Sequence, residues 1–471
     1  MQTQQNDFCK VIEKKFHRGF RWNFFGSITY EAVKIVHHFF LLKFINVADY
    51  GLIGSMFAVI YMTTKIADFG MSHALAPFFC DITKNKKSFK KILFSYYLGP
   101  QLPIIMAAGM IAMVFFQKQF LSDQPTPCLF IIPTIVFLET IRSFLRYLLH
   151  MTFQSKKVVL FELATFLCYL SSIWVAILHF HFQLSLNVIF VPHIVDSAFV
   201  TTVFIIMMRR YYEKLPQENV DSWSKNLGQR IVKARLFNYF IRISREFFTS
   251  HFLTPFFAIK FGFKQAGLFY FASIIATAIQ SIIKVSIGYS GNALFASLKE
   301  NSQAAKKQAF RIINEKVMRV IAPLMIMLII SYKSIMELWL TNNNTAVTLA
   351  LLLLLLIIIF TEFFFMAYEQ FYIIEEASRK LFLFKILEFF LFYVVIIASE
   401  QQTMLTTLIS IIIIRLISFV IITINAYSLW QITPSIRTSK HYLALCFACG
   451  LILLLALKFF QAEIIASLLS S

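Results

Sequence analysis

Apolar residues in this chain do not alternate with polar ones at the spacing of a surface helix; they run in long blocks broken by short polar segments. Blocks near 24–46, 51–79, 92–116, 128–150, 158–180 and 186–208 are each long enough to cross a hydrocarbon layer of about 30 Å as a helix. After a polar stretch at 209–235 the pattern resumes near 236–259, 266–296, 317–339, 346–372, 381–399 and 405–427, with a further apolar run near 442–460. Stretches such as 350–360 and 409–414 are apolar all round, as expected of helices enclosed by lipid or protein. The pattern predicts an all-α integral membrane protein with twelve transmembrane helices, thirteen if the last run crosses as well. The predicted organisation is a cytoplasmic amphipathic lead-in at 1–23, a first six-helix lobe at 24–208, a cytoplasmic connector at 209–235, a second six-helix lobe at 236–428 and a tail at 429–471.

Composition agrees: 58% of the 471 residues are apolar and only 14% are charged, too few to give this many helices a water-facing side. The charges are also unevenly placed. Thirty Lys and Arg lie in alternate inter-helix segments starting with the N-terminal one, whereas the intervening segments hold only Lys118, Lys260 and Lys264. Basic residues flanking a span stay on the cytoplasmic side, so the alternation supports the span count and predicts a cytoplasmic N-terminus. The formal charge of +20 is then a topology signal with an attraction to anionic headgroups, and no nucleic-acid partner is needed to explain it.

Residues 1–23 lack the apolar core of a cleavable signal, and Phe8, Val11, Ile12, Lys15 and Phe16 recur at the spacing of an interfacial helix. The six cysteines are scattered, and the Cys446/Cys449 pair sits in an apolar run without a second ligand pair, so packing explains it better than metal or redox chemistry. No cofactor and no metal site is expected.

The two predicted halves carry one echo of each other. Val47-Ala48-Asp49-Tyr50-Gly51-Leu52 precedes Phe263-Lys264-Gln265-Ala266-Gly267-Leu268 by 216 residues, and both lie between the first and second spans of their lobe. Six spans per half with the same starting side implies parallel repeats about an axis along the membrane normal.

The stretch from Phe40 to Leu52, followed by Ala67-Asp68-Phe69-Gly70-Met71-Ser72-His73-Ala74-Leu75, resembles the first two helices of the polysaccharide and O-antigen lipid flippases. Ala266-Gly267-Leu268-Phe269-Tyr270-Phe271-Ala272 is similar to the corresponding turn of their second half. The resemblance implies the multidrug/oligosaccharidyl-lipid/polysaccharide (MOP) exporter superfamily, with two lobes around an alternating-access cavity. The implied cargo is an undecaprenyl-diphosphate-linked oligosaccharide flipped across a bacterial cytoplasmic membrane, with the lipid bilayer and other polysaccharide-assembly membrane proteins as partners. These motifs are turns rather than chemistry, and they specify fold better than cargo.

Charges left inside spans are the better pointers to function, because each costs about 2.5–3.5 kcal/mol at mid-helix on insertion scales. Lys34, Arg142, Arg146, Arg242, Arg245, Lys284 and Arg415 are the candidates for a cationic cavity that receives a diphosphate. Glu31, Asp68, Asp196 and Glu362 are the candidates for a coupling ion, or for counter-ions to those bases. Same-helix pairing is the competing explanation for Glu139 with Arg142, Lys65 with Asp68 and Lys333 with Glu337, and snorkelling to headgroups competes for Arg142, Arg146 and Arg242. Lys34, Lys284 and Arg415 sit near mid-span, where snorkelling reach is poor. His193, three residues before Asp196, reads as a hydrogen-bonded packing residue.

Enzymes are disfavoured, since no predicted outer segment has room for a catalytic domain and no DxD pair occurs. No GxxxxGK[ST] loop is present for a nucleotide-driven pump. A multidrug cation antiporter of the same superfamily and a peptidoglycan-precursor flippase remain as alternatives. The first would favour an acidic cavity, and the second usually has two more helices.

Overall fold

The computed structural model describes residues 2–75, 78–83, 86–91, 93, 99–120, 130–152, 154–178, 186–217, 225–289, 291, 294, 306–315, 317, 319, 352–358, 365–373, 375, 377–398 and 404–430. Among them all regular structure is helical. The first half contains α1 (Gln2–Phe44), α2 (Val47–Ala67), the short α3 (Met71–Ala74), α4 (Phe79–Ile82) and α5 (Lys86–Lys91), then α6 (Gly99–Phe120), α7 (Ile131–Met151), α8 (Ser155–Leu178) and α9 (Leu186–Glu213). The second half contains α10 (Lys225–Glu246), α11 (Ser250–Phe261), α12 (Phe263–Ile283) with a π-helical continuation at Lys284–Tyr289, α13 (306–315), α14 (352–358), α15 (365–373), α16 (Ser378–Ala398) and α17 (Met404–Trp430). Six of these helices are long and apolar enough to cross a membrane by length and composition. Nearly all of the sequence-predicted span at 317–339, part of that at 346–372 and the run at 442–460 lie outside the described residues.

The helices sort into two bundles. α1, α2 and α6–α9 pack on one another; in the second half α10 packs on α16, α16 on α17 and α11 on α12, with Phe252 of α11 against Phe392 of α16, and the bundles meet where α2 lies against α11 and α12 and α1 against α12. Phe, Leu and Ile side chains with little exposed surface fill both interiors, while the flanks of α6, α9, α16 and α17 leave apolar side chains such as Ile111, Val195, Phe390 and Ile424 outward, as a lipid-facing surface requires.

Four departures from the sequence reading shape the interior. The lead-in at 1–23 is not a separate element: α1 is continuous over 43 residues, about 65 Å, so its basic first part extends well past any bilayer core. The predicted connector is largely helix, because α9 runs on to Glu213 and α10 begins at Lys225. The span predicted at 51–79 ends at Ala67, where Phe69 and Gly70 take left-handed backbone (φ 47° and 72°) before α3. The span predicted at 236–259 is broken at 247–249: Thr249 is extended, and its hydroxyl donates back to the Glu246 carbonyl (2.8 Å) and carboxylate (3.2 Å), meeting groups that the helix end leaves without backbone partners.

The echoed turns of the two halves touch. Gly51 and Gly267 pack backbone to backbone: a Cβ on Gly51 would lie 2.0 Å from the Phe263 carbonyl oxygen, and one on Gly267 would lie 2.1 Å from that of Val47. Tyr270 covers Gly54 and lies 5.3 Å ring to ring from Tyr50, whose hydroxyl is 3.2 Å from His38 Nδ1. This end of the α2–α12 junction is closed. Glycine is required here because only a residue without a Cβ lets two helix backbones come this near.

Candidate functional site

Away from the closed turns, toward the ends where α2, α7 and α12 run into the basic segments, the two bundles part around a cavity of about 330 Å³. Its wall comes from both halves: Glu31 and Lys34 of α1, Lys65 of α2 and Arg146 of α7 on one side, and Arg242, Arg245 and Glu246 of α10, Lys284 of the π-helical segment and Glu369 of α15 on the other. The residue counts are six Lys or Arg side chains against three carboxylates, with His251 beside them. Neutral hydrogen-bonding groups make up much of the rest, including Asn238, Thr277, Gln280, Ser281 and Gln370, and among the described residues Tyr147 is its one aromatic ring besides His251. The two irregular backbone segments, the α10–α11 break and the π-helical turn at Lys284–Tyr289, both border the cavity. Irregular backbone at membrane depth is expected only where it is enclosed by protein or lines a cavity.

The carboxylates and bases form three buried assemblies. Within the first bundle Arg142 lies 3.1 Å from Glu139, 3.0 Å from Asp196 and 3.6 Å from Glu162, Arg146 also pairs with Glu162, and Ser197 donates to Glu139 at 2.5 Å. Within the second bundle an alternating chain runs from Arg245 to Glu369 (3.3 Å), Lys385 (3.1 Å), Glu388 (2.8 Å) and Arg415 (2.7 Å). The Arg415 guanidinium stacks over Phe248 at 4.6 Å, which helps hold a cation that has almost no exposed surface. Between the bundles Arg242 pairs with Asp68, to which Ser72 also donates (2.6 Å). Beside that pair Arg235 donates to the Phe69 carbonyl (3.1 Å), pairs with Gln101, and lies 4.9 Å from the Phe69 ring. The Ala67-Asp68-Phe69-Gly70 stretch is thus a joint between bundles: a Cβ on Gly70 would sit 2.6 Å from the Arg235 carbonyl oxygen.

Of the residues singled out from sequence, Lys34, Arg146, Arg242, Arg245, Lys284 and Glu31 line the cavity. Arg142, Arg415, Asp68 and Asp196 do not; they lie in the assemblies behind it, and Glu362 lies outside the described residues. Lys34 keeps its same-helix partner Glu31 at 3.3 Å, and Arg142 keeps Glu139. Lys65 does not keep Asp68, which is taken by Arg242, and among the described residues Lys65 has no hydrogen bond or ion pair. The Lys333–Glu337 pair lies outside the described residues. His193 packs against the Tyr169 and Phe57 rings with Glu139 3.8 Å away, an internal contact of the first bundle. Lys385, counted with the basic residues flanking spans although it lies near the start of the span predicted at 381–399, is buried between Glu369 and Glu388, because two carboxylates compensate its desolvation. Glu369 lies within the predicted span 346–372 and was legible by its insertion cost without being singled out, whereas Gln370 and Gln280 carried no sequence signal, since lone neutral polar residues in apolar helices look alike until packing aims them at one space.

The helices of the two halves thus enclose a polar cavity lined by charged side chains from both. No family model matches the chain, and no curated protein matches it. Solved structures do: an outward-facing multidrug-resistance MATE transporter of the MOP superfamily aligns with a TM-score of 0.64 over 92% of this chain and 97% of its own, at 11% identity. A MOP superfamily transporter from Pyrococcus furiosus, described as having a binding pocket of reverse polarity that suggests a different function, aligns with a TM-score of 0.65 over 89% of this chain and 96% of its own, at 11% identity. The eukaryotic MATE transporter AtDTX14 aligns with a TM-score of 0.60 over 88% and 96%, at 11% identity. The chain has the fold of these transporters, and six of its described helices are long and apolar enough to cross a membrane.

Arg415 gives a test of the assemblies behind the wall. Arg415→Met is expected to lower the yield and melting temperature of purified protein, since Glu388 loses a buried partner, while leaving the affinity of surviving protein for any cavity ligand near that of the parent. Loss of affinity at unchanged stability would place Arg415 in the binding machinery instead.

Proposed function

We propose that this protein flips a lipid-linked oligosaccharide, of the undecaprenyl-diphosphate class, across a bacterial cytoplasmic membrane by alternating access, with its N-terminus and the cavity end on the cytoplasmic side. The cavity lining supports this reading most directly. Six Lys and Arg side chains against three carboxylates suit an anionic headgroup, and the Asn, Gln, Ser and Thr side chains between them suit sugar hydroxyls. A multidrug antiporter with the same fold faces the opposite task, since lipophilic organic cations favour acidic and aromatic walls. Turns closed at one end and a cavity between the bundles at the other fit one of the two states that alternating access needs.

The test is translocation in proteoliposomes holding the purified protein and a fluorescent undecaprenyl-diphosphate oligosaccharide, read by quenching of label that reaches the other leaflet. Lys34→Ala and Lys284→Ala are each expected to slow translocation by about tenfold or more without lowering the reconstituted amount, as loss of one charge-assisted contact would. Protection of drug-sensitive cells against organic cations, with no translocation of the lipid, would favour the antiporter. Translocation of the peptidoglycan precursor in preference to other glycans would favour that narrower cargo.

A further inference from the structure

Glu246 and Lys65 face the cavity from opposite bundles, and neither is committed to an ion pair among the described residues. Every other cavity carboxylate has a basic partner: Glu31 has Lys34 at 3.3 Å, and Glu369 has Arg245 at 3.3 Å and Lys385 at 3.1 Å. Among the described residues Glu246 receives the Thr249 hydroxyl at 3.2 Å as its one side-chain partner, at the α10–α11 break beside the cavity. Lys65, Lys284, Arg245 and His251 lie within its electrostatic reach without closing on it. The carboxylate is therefore held by a single neutral donor in front of a group of bases.

We propose that Glu246 is a resident counter-ion which competes with the anionic group of the cargo for Lys65, and so sets how tightly that group is held. This rests on the reading of the cavity as an anion carrier. With the cavity empty, the carboxylate offsets the mutual repulsion of Lys65 and Lys284. A diphosphate entering between the bundles takes over that role and must outcompete Glu246, which keeps binding weak enough for release on the far side. Because Lys65 stands on the first bundle and Lys284 on the second, one diphosphate can engage both, whereas a singly charged anion gains too little to displace a carboxylate already present.

The experiment is a binding titration of full-length protein in detergent, at low chloride, with inorganic pyrophosphate as the probe. Glu246→Gln keeps the size of the side chain and the Thr249 contact, and it is expected to bind pyrophosphate about tenfold more tightly than the parent while translocating the glycan lipid more slowly. In a Lys65→Met background, which itself weakens binding, the tightening should largely disappear, since the competition is for that lysine. If Glu246→Gln is not monodisperse, Glu246→Ala provides the same comparison. Pyrophosphate binding by the parent that is unchanged or weakened in Glu246→Gln overturns the counter-ion role and leaves the cationic cavity standing. Absence of binding in the parent and in both Glu246 variants overturns the anion-carrier reading along with it.

Discussion

Leucine in place of Gly51 is expected to stop transport almost completely while both bundles still fold. The Cβ alone would lie 2.0 Å from the Phe263 carbonyl oxygen and 2.7 Å from the Gly267 nitrogen. Those atoms are helix backbone, which cannot rotate aside as the end of a side chain can, so the only relief is for α2 and α12 to separate. Overpacking of this kind costs about 1–3 kcal/mol even where neighbours can move, and about 1.4 kcal/mol already shifts an equilibrium tenfold. The state with closed turns should become rare, and a transporter confined to the other state moves nothing. Maleimide labelling of a cysteine at Tyr50, in a background lacking the six native cysteines, should rise in the Gly51→Leu protein, and translocation should fall by more than about tenfold. Gly267→Leu should behave the same way, because its Cβ meets the Val47 carbonyl at 2.1 Å from the other side of the contact. Normal translocation by both would mean that this contact does not open and close.

Asp68→Ala should have the largest effect on stability. Both side chains of the Asp68–Arg242 pair are buried, and removing one partner of a buried pair typically costs about 3–5 kcal/mol because the other charge is left uncompensated. Ser72 would lose its acceptor as well. Thermal melting in detergent should show a clear fall for Asp68→Ala and partial recovery for Asp68→Ala combined with Arg242→Met, since the double change removes the stranded guanidinium. No change in melting would mean that the joint is held by the neighbouring Arg235 contacts with Phe69 and Gln101 rather than by the ion pair.

These two sites also separate what was readable in the chain from what was not. The Gly-Leu echo between 51–52 and 267–268 was visible as a repeat. That the two glycines pack on each other was not visible, because a repeat says that two segments are alike and nothing about how near they come. Asp68 is plainer still. Its nearest base in sequence is Lys65, three residues away on the same helix, yet its carboxylate is paired with Arg242 from a different bundle. Arg245 with Glu369 and Arg142 with Asp196 follow the same rule, joining different helices. Same-helix neighbours are legible because the helix fixes their spacing. Partners across helices depend on the rotation and depth of each helix in the bundle, and one sequence does not state either.

The cavity illustrates the same divide. Charged residues deep in apolar blocks could be found by their cost, and six of the eleven residues chosen on that ground line the cavity. The neutral groups that share the wall, Gln280 and Gln370 among them, carry so small an insertion cost that nothing in the sequence set them apart. Lys385 was hidden for the opposite reason: a lysine near a span boundary looks like a topology signal until its two carboxylate partners are in view.

What the sequence indicated by itself was the apolar surroundings of its helices. Transfer into lipid is close to additive along a helix, so each block of about 20 apolar residues declares itself without reference to the others. Tertiary structure alone decided which end of the bundles closes, which charges neutralise one another and which face an open space. In lipid there is little hydrophobic force to rank one helix pairing over another, so close backbone contact and buried polar partners make that choice, and both exist only once the helices are side by side.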